Sequence, residues 1–181
     1  MAPTNPIVLA AYDPAWPRLA ESYGAQLRVL GDCLIAVHHI GSTSVVGLAA
    51  KPTIDLMPVV TRLAALEAQR PKLEALGYQW RGEFGIAGRR LCVMDNEAGL
   101  RLANVHLFAA GAPDIDRALA FRDYLRIFPG AAQEYERQKR EACRHHPHDM
   151  RAYTDAKGPW IRETETKALA WRAQQRTVLP A

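Results

Sequence analysis

Cysteine is scarce in this chain, and the three residues that occur, Cys33, Cys92 and Cys143, stand far apart without a Cys-x-x-Cys pair. An odd and scattered set argues against a disulfide framework and is typical of a protein of the reducing cytoplasm. The amino terminus lacks a basic segment followed by an apolar run, so we expect no signal peptide. No apolar stretch is long enough to span a bilayer, so a membrane is not an expected partner.

Runs of lysine and arginine are also absent, although these residues, 23 in number, outnumber the 19 acids and give a formal net charge of +4. Without a basic helix or cluster, duplex nucleic acid is not an expected partner. The small excess of positive charge is typical of a solvated surface. The alternative interpretation is a basic floor for an anionic substrate.

Short apolar runs predict strands before residue 110. The runs are Ile7–Tyr12, Leu34–Ile40, Thr53–Val60, Tyr78–Trp80, Arg89–Met94 and Leu100–Phe108. Five turn-type residues, 95–99, separate the last two runs and predict a hairpin. Pro58 cannot donate a hydrogen bond to a neighbouring strand, so the pairing of its own strand should be interrupted there.

Three- and four-residue spacing of apolar side chains predicts helices between these strands. Asp13 is a candidate N-cap for the first helix, followed by Pro14 at a position where its missing N–H costs nothing. A second helix is expected over residues 63–76, with a break or kink at Pro71. Residues 44–50 are expected to form one short helical turn.

The carboxyl-terminal third has the apolar spacing of helices, beginning with Asp114 as a candidate N-cap. We expect breaks at Pro129-Gly130 and at Gly158-Pro159. With 181 residues and 49% hydrophobic content, the chain predicts a single domain over residues 1–181. The predicted fold class is α/β: a mixed sheet with flanking helices and a helical extension, from about residue 114 to 176, packed on it.

A glycine-serine turn, Gly41-Ser42-Thr43-Ser44, separates two of the apolar strands, and the second of these strands carries a single acid, Asp55. Gly41 permits a close turn, whose N–H groups and hydroxyls suit a phosphate. A carboxylate in an apolar strand is costly to bury unless it is paired or bound to a metal. The alternatives are a simple helix cap for the turn and a strand-end acid facing water for Asp55.

Two histidines are candidate partners of Asp55 in a metal site. The two-residue period of a strand places Asn104, His106 and Phe108 on one face, and His39 ends an earlier strand. A site with His39, His106 and one carboxylate would suit Zn²⁺ better than Mg²⁺. The alternative is a hydrogen-bonded sheet histidine; His38 is expected on the opposite face from His39, in a structural role.

Four cations, Lys51, Arg89, Arg90 and Lys157, are candidates for contact with phosphate or carboxylate groups, because arginine grips oxyanions with two N–H groups. Each could equally be a solvated surface cation.

One feature of a two-metal site is missing. The residues two positions on either side of Asp55, Thr53 and Met57, are not acidic, so a paired carboxylate for a second metal is absent.

The segment from His39 to Leu56, His-Ile-Gly-Ser-Thr-Ser-Val-Val-Gly-Leu-Ala-Ala-Lys-Pro-Thr-Ile-Asp-Leu, resembles the GrpB family. Further matches are found at 12–17, 105–108 and 121–126 and at Tyr153, Lys157, Trp160 and Ile161. Two departures stand out: Val46 replaces a usual proline, and Asn104 stands where many members have a second histidine. The resemblance implies a nucleotidyltransferase-like mixed sheet.

For function, the resemblance implies binding of a nucleotide or another phosphorylated small molecule with a divalent metal, Mg²⁺, Mn²⁺ or Zn²⁺, and leaves nucleotidyl transfer open. In this interpretation Asp55 is catalytic. The expected metal ligands are Asp55, His106 and His39, and the expected phosphate contacts are Gly41, Ser42, Thr43, Ser44, Lys51, Arg89, Arg90 and Lys157. One alternative is a non-catalytic accessory or folding-assistance module for a dephospho-CoA kinase-like protein, because family members occur fused to that enzyme. The other is a metal-dependent hydrolase.

Overall fold

The computed structural model of the protein describes residues 6–178. Its centre is a five-stranded sheet in the order β1-β2-β5-β4-β3. The strands are β1 Leu34–Ile40, β2 Ile54–Val60, β3 Gln79–Trp80, β4 Arg89–Asp95 and β5 Arg101–Ala109. The helices are α1 Trp16–Gln26, α2 Leu63–Glu67, α3 Arg70–Ala75, α4 Pro113–Ile127, α5 Pro129–His145 and α6 Met150–Val178, with 3-10 segments at Leu27–Cys33 and Ser42–Ser44. The predicted α/β class with a C-terminal helical segment is confirmed.

The strand register brings the polar residues of the central strands together. β2 is antiparallel to β1 and parallel to β5, and β4 is antiparallel to β5. Asp55 is the direct neighbour of Ile40 on one side and of Asn104 on the other. Because neighbours in register project to the same face, the side chains of Asp55, Asn104 and, two residues further along β5, His106 share one face of the sheet.

Each face of the sheet is covered by different helices. One face packs against α1 and the 3-10 segment that follows it, in a core that includes Leu27, Leu56 and Leu107. The opposite face carries Met57 and Phe108, which pack against Leu119 of α4. Asp55 and His106 alternate with the residues of the first core, so they project toward the face on which the C-terminal helices lie. Within residues 6–178, no helix combines the length and the apolar character needed to cross a membrane.

The predictions for the first strand, for the helix N-caps and for the turn after β1 were only partly correct. Residues 7–12 form no strand, and a single bridge joins Ala10 to Ala50. Asp13 lies two residues before the N-cap position of α1, and its carboxylate accepts a hydrogen bond from Ala15 N at 2.8 Å. The N-cap of α4 is likewise Ala112 rather than Asp114. The helical turn expected over residues 44–50 occurs earlier, as the 3-10 turn Ser42–Ser44.

The prolines divide into those that end an element and those that do not. Pro71 lies in the first turn of α3, so the predicted helix over residues 63–76 is split into two as expected. At Pro58 the strand continues, although its pairing with β5 is interrupted there. The expected break at Pro159 was wrong, because α6 runs through it. The next residue, Trp160, stacks on Tyr135 with ring centroids 5.3 Å apart, and this packing outweighs the proline's cost.

Candidate functional site

A cleft of about 700 Å³ opens between the sheet and the C-terminal helices. Its floor is formed by Asp55 of β2 and by Asn104 and His106 of β5. The turn after β1 forms one side, and side chains of α5 and α6 form another. The remaining side is the loop between β3 and β4. The turn contributes Gly41, Ser42 and Thr43. The two helices contribute Tyr135, Lys139, Tyr153 and Lys157. The loop contributes Phe84 and Ile86, and Arg89 follows it as the first residue of β4.

Asp55 is held by hydrogen-bond donors. Asn104 Nδ2 donates to Asp55 Oδ1 at 2.8 Å, and His106 Nε2 lies 3.7 Å from the same oxygen. Burial alone would raise the pKa of Asp55, but the donors His106 and Asn104 and the charge of Lys51 outweigh it and the net pKa is lowered. On its other side the carboxylate meets Gly41, where a Cβ would overlap Oδ2 and where φ is 70°. Asp55 is therefore ionised and closely packed.

The orientation of Asn104 is fixed from its far side. Arg101 Nη1 donates to Asn104 Oδ1 at 2.9 Å, and Arg101 is itself ion-paired with Asp95. A guanidinium only donates, so the amide oxygen of Asn104 must face Arg101 and its NH₂ group must face Asp55. Asn104 thus stabilises the ionised carboxylate as a neutral donor.

Arg89 sets the tautomer of His106 in the same way. Arg89 Nη1 lies 3.4 Å from His106 Nδ1, and its other nitrogens donate to the carbonyls of Glu83 and Phe84 at 3.2 and 2.6 Å. Because the guanidinium has no acceptor, Nδ1 must accept, and the neutral ring carries its proton on Nε2. That proton points toward Asp55. In this tautomer Nε2 has no lone pair to offer a metal.

The predicted metal site of His39, Asp55 and His106 does not form. His39 is the neighbour of Leu56 in the β1–β2 pair, so it leaves the sheet on the face opposite Asp55. There its Nε2 lies 2.9 Å from Thr43 Oγ1, and burial lowers its pKa to about 4. The expected faces of His38 and His39 were therefore reversed. In the part of the chain that the structure describes, no group of three or more His, Cys, Asp or Glu side chains could hold a metal ion.

Among residues 6–178, the three lysines of the cleft have no carboxylate within ion-pairing distance. Lys51 and Lys157 lie 5.7 and 4.5 Å from the centre of the Tyr153 ring, and Lys139 lies 4.7 Å from that of Tyr135. Lys51 Nζ also lies 3.1 Å from a methionine sulfur, and Lys139 donates to the carbonyl of Ala49. Burial lowers the pKa of all three, to about 7 for Lys139, and the charge of Lys157 lowers the other two further.

Ion pairing of lysine occurs elsewhere in the molecule. Within residues 6–178 a single lysine forms an ion pair, Lys167 with Glu163, and this pair is exposed on α6. The charge of Asp55 partly opposes the lowered pKa of Lys51 and Lys157, and the charge of Glu136 partly opposes the lowered pKa of Lys139. Because one carboxylate faces several cations, the cleft has an excess of positive charge suited to an anion.

The glycine-serine turn uses most of its hydroxyls internally. Ser44 Oγ donates to Gly41 O at 2.6 Å, and Thr43 Oγ1 is paired with His39. Burial raises the pKa of the Tyr135 hydroxyl to about 12, and the neighbouring Ser42 side chain partly opposes that rise. Ser44 N donates to Gly41 O at 3.2 Å, so the N–H groups of Ser42 and Thr43 precede the first hydrogen bond of the turn and have no acceptor within it. These two N–H groups are what the turn can offer a phosphate.

The predicted phosphate contacts therefore divide into two groups. Six line the cleft: Gly41, Ser42, Thr43, Lys51, Arg89 and Lys157. Ser44 and Arg90 lie outside it. Arg90 leaves β4 on the other face from Arg89 and pairs with Glu67 at 2.5 Å and with Glu83 at 3.4 Å.

Sequence reasoning missed Lys139 and Tyr135, the contacts of Asn104 with Arg101 and with Asp55, and the position of Phe84 at the cleft. Lys139 lies in a strongly charged helix that is typical of a solvated surface. A signal was nevertheless present, since Tyr135, Lys139 and Ala142 follow the four- and three-residue spacing of a buried stripe, and all three are buried. A lysine on an apolar stripe indicates a buried amine.

Comparisons with known proteins agree on the family. A family model described as GrpB protein matches residues 6–167. The UPF0157 protein YqkA of Bacillus subtilis is 36% identical over 171 residues, which cover 94% of this chain and 49% of that protein. A UPF0157 protein of Halalkalibacterium halodurans is 37% identical, with 91% and 83% covered. A dephospho-CoA kinase of Mycolicibacterium paratuberculosis is 30% identical, with 92% and 47% covered. The chain thus spans about half the length of two of these relatives.

Solved structures show the same relationship. The GrpB protein of Enterococcus faecalis superposes with a TM-score of 0.85 at 34% identity, covering 91% of this chain and 99% of that one. The Cid1 poly(U) polymerase, solved with Mg 3′-dATP bound, superposes with a TM-score of 0.54 at 10% identity, covering 82% and 49%. The second likeness concerns the fold alone and makes it nucleotidyltransferase-like. On this evidence the chain belongs to the GrpB family.

Proposed function

We propose that the cleft binds a nucleotide or another phosphorylated small molecule, with its phosphates on the lysine side. The observation that carries this proposal is a set of three buried or half-buried amines, Lys51, Lys139 and Lys157, which form no ion pair with any residue between 6 and 178. Burying an unpaired cation costs free energy, and a lowered pKa is the sign of that cost. A bound anion would remove it.

The size and the donor set of the cleft support a ligand of nucleotide size. Its volume of about 700 Å³ lies within the usual range for small-molecule sites, roughly 300–1,000 Å³. The N–H groups of Ser42 and Thr43 add two neutral donors at one side. Asp55 would repel a phosphate placed directly on it. The phosphates therefore belong between the turn and the lysines, with Asp55 at the edge.

A divalent metal fits this site only in a restricted way. Zn²⁺ usually takes at least three protein ligands, and Asp55 is the only suitable side chain on the cleft floor once His106 carries its proton on Nε2. Mg²⁺ and Mn²⁺ are often held by one or two carboxylates together with substrate phosphates. In that case Asp55 would be the protein ligand and the metal would supply additional positive charge.

The proposal is tested by isothermal titration calorimetry with ATP and with inorganic tripolyphosphate, each with and without Mg²⁺. Replacing Lys157 by Met should weaken binding of both ligands by at least about tenfold, since a charge-assisted contact is lost. Lys167→Met, which removes an exposed lysine of the same helix, is the control. Asp55→Asn should abolish any Mg²⁺-dependent part of the affinity. If neither ligand binds the wild-type protein, or if Lys157→Met binds as tightly as the control, the proposal is wrong.

A second candidate function is that of an accessory module for a dephospho-CoA kinase-like protein. Two observations favour it: proteins of that name contain a segment matching 92% of this chain, and Asp55 has no acidic residue two positions away in its strand. Rapid two-metal transfer generally needs paired carboxylates. We therefore expect little pyrophosphate release from nucleoside triphosphates. The hydrolase alternative would need Mg²⁺ or Mn²⁺ held by Asp55 and the substrate, because a three-ligand metal group is lacking among residues 6–178.

These candidates differ in a measurable way. Fast, metal-dependent pyrophosphate release that Asp55→Asn abolishes would establish a transferase. The accessory role requires a different result. No ligand should stabilise the protein in thermal melts. Co-expression of this protein should raise the soluble yield of a dephospho-CoA kinase that lacks a GrpB-like segment of its own. Binding of tripolyphosphate without release of pyrophosphate would support the favoured proposal.

A further inference from the structure

Phe84 is the one aromatic residue at the cleft whose ring is exposed. Its relative exposure is 69%, and it lines the same cleft as Asp55 and the lysines. The other phenylalanine of the described chain in the exposed class, Phe128, has its ring packed against Tyr124 and Trp171. Phe84, in contrast, contacts no other aromatic ring within residues 6–178. A large apolar side chain exposed at the edge of a cationic cleft is available to a ligand.

The backbone that carries Phe84 is held in an uncommon conformation. Its φ is 44°, in the left-handed region that side chains rarely adopt. Arg89 binds the carbonyls of both Glu83 and Phe84, and Gly88 N donates to Glu83 Oε1 at 2.8 Å. A strained conformation persists where its surroundings hold it, and such positions occur often at ligand sites. The ring is thus presented from a fixed backbone.

The same arginine links this loop to the polar floor. Arg89 contacts His106 with its remaining nitrogen, and His106 in turn faces Asp55. Ile86, in the same loop, also lines the cleft. The cleft therefore has an apolar, aromatic side at the β3–β4 loop, in addition to the lysines of α5, α6 and the segment before β2. A nucleotide is divided in the same way, into a flat aromatic base and anionic phosphates.

We propose that Phe84 is the surface on which the base of a nucleotide stacks, which makes the ligand of this cleft a nucleotide rather than an inorganic or sugar phosphate. This inference rests on the proposed function, since it names the substrate class of the same cleft. Aromatic rings stack on any of the bases, because each base has a flat π face. We therefore expect a strong preference for nucleotides over other phosphates and a weak preference among bases.

The test compares two probes that share a triphosphate and differ in the base. ATP and inorganic tripolyphosphate are titrated into the wild-type protein and into the variants Phe84→Ala and Phe84→Trp. Phe84→Ala should weaken ATP binding about tenfold and leave tripolyphosphate binding unchanged. Phe84→Trp should retain ATP affinity. Val46→Ala, which shortens an apolar side chain that is 78% exposed and lies outside the cleft, is the control.

Each outcome separates this inference from the function on which it rests. If tripolyphosphate binds and Phe84→Ala leaves ATP affinity unchanged, the stacking role is wrong and the phosphate site stands. If Phe84→Ala weakens both probes equally, the side chain supports the loop and the stacking role is again wrong. If neither probe binds the wild type, the proposed function itself fails. Thermal melting of each variant shows whether the fold is retained.

Discussion

Lys139 allows the electrostatics of the cleft to be tested without any ligand. Its side chain is 1% exposed, its Nζ donates to Ala49 O, and burial lowers its pKa to about 7. In the unfolded chain the same amine titrates with an ordinary pKa near 10.4. Between these values the unfolded chain binds more protons than the folded one. Stability must therefore rise as the pH rises through this window, and we predict that Lys139→Met removes that rise.

The size of this change in stability follows from the lowered pKa of Lys139. One pKa unit corresponds to about 1.4 kcal/mol, so raising the pH from 7 to 9 should stabilise the wild type by about 2 kcal/mol relative to the Met variant. Methionine also leaves Ala49 O without its donor, which costs about 1–3 kcal/mol. That cost does not depend on pH. The difference in the free energy of unfolding between the wild type and Lys139→Met therefore changes with pH only through the amine.

The measurement is urea unfolding of the wild type, Lys139→Met and Lys167→Met at pH 7, 8 and 9. Lys167 is exposed and ion-paired with Glu163, so its variant should follow the pH dependence of the wild type. The slopes against urea should be unchanged, since none of the substitutions alters the surface that unfolding exposes. Parallel pH profiles for the wild type and Lys139→Met would refute the argument, because Lys139 would then keep its charge at no cost when the chain folds.

Two further predictions concern the neighbours of Asp55. Gly41→Ala should destabilise the protein by at least about 1–2 kcal/mol and weaken tripolyphosphate binding, because a Cβ there overlaps the Asp55 carboxylate at a φ of 70°. Thermal melting measures the first effect and calorimetry the second. Unchanged binding would count against Gly41 as part of the site. Asn104→Asp places a second carboxylate beside Asp55. Metal-free binding of tripolyphosphate should then fall several-fold and Mg²⁺-dependent binding should appear, as measured by calorimetry with and without Mg²⁺. Identical binding in both conditions would contradict the role of Asn104 as a neutral donor to Asp55.

The sequence indicated part of the site correctly because that part depends on local alternation. Asp55 and His106 each lie one residue away from the apolar residues of the first core, so a common face followed once β2 and β5 were placed side by side. The face of His39 depended on a different quantity, the register between β1 and β2. Ile40, rather than His39, is paired with Asp55. A shift of one residue moves every side chain to the other face, and nothing in the sequence of β1 specifies that register.

The lysines of the cleft illustrate a second limit. Lys51 and Lys157 were singled out because they match the family, and Lys139 was missed because charged helices are usually solvated. What brings the three together is the packing of α5 and α6 over the sheet, through contacts such as the stack of Tyr135 on Trp160. Residues so far apart in the chain are related only by tertiary structure. The same packing explains why α6 continues through its proline.

The arrangement of charge separates this site from what its fold would lead one to expect. A site with paired carboxylates repels phosphate until metal ions neutralise it. Here the single carboxylate, Asp55, is already stabilised by Asn104 and His106, and Lys51, Lys139 and Lys157 supply positive charge from the protein itself. Such a cleft can attract a phosphate without prior metal binding, and it lacks the second acid that would activate an acceptor. Because function depends on the site rather than on the fold, this arrangement of charge favours the proposed binding of a phosphorylated ligand over nucleotidyl transfer.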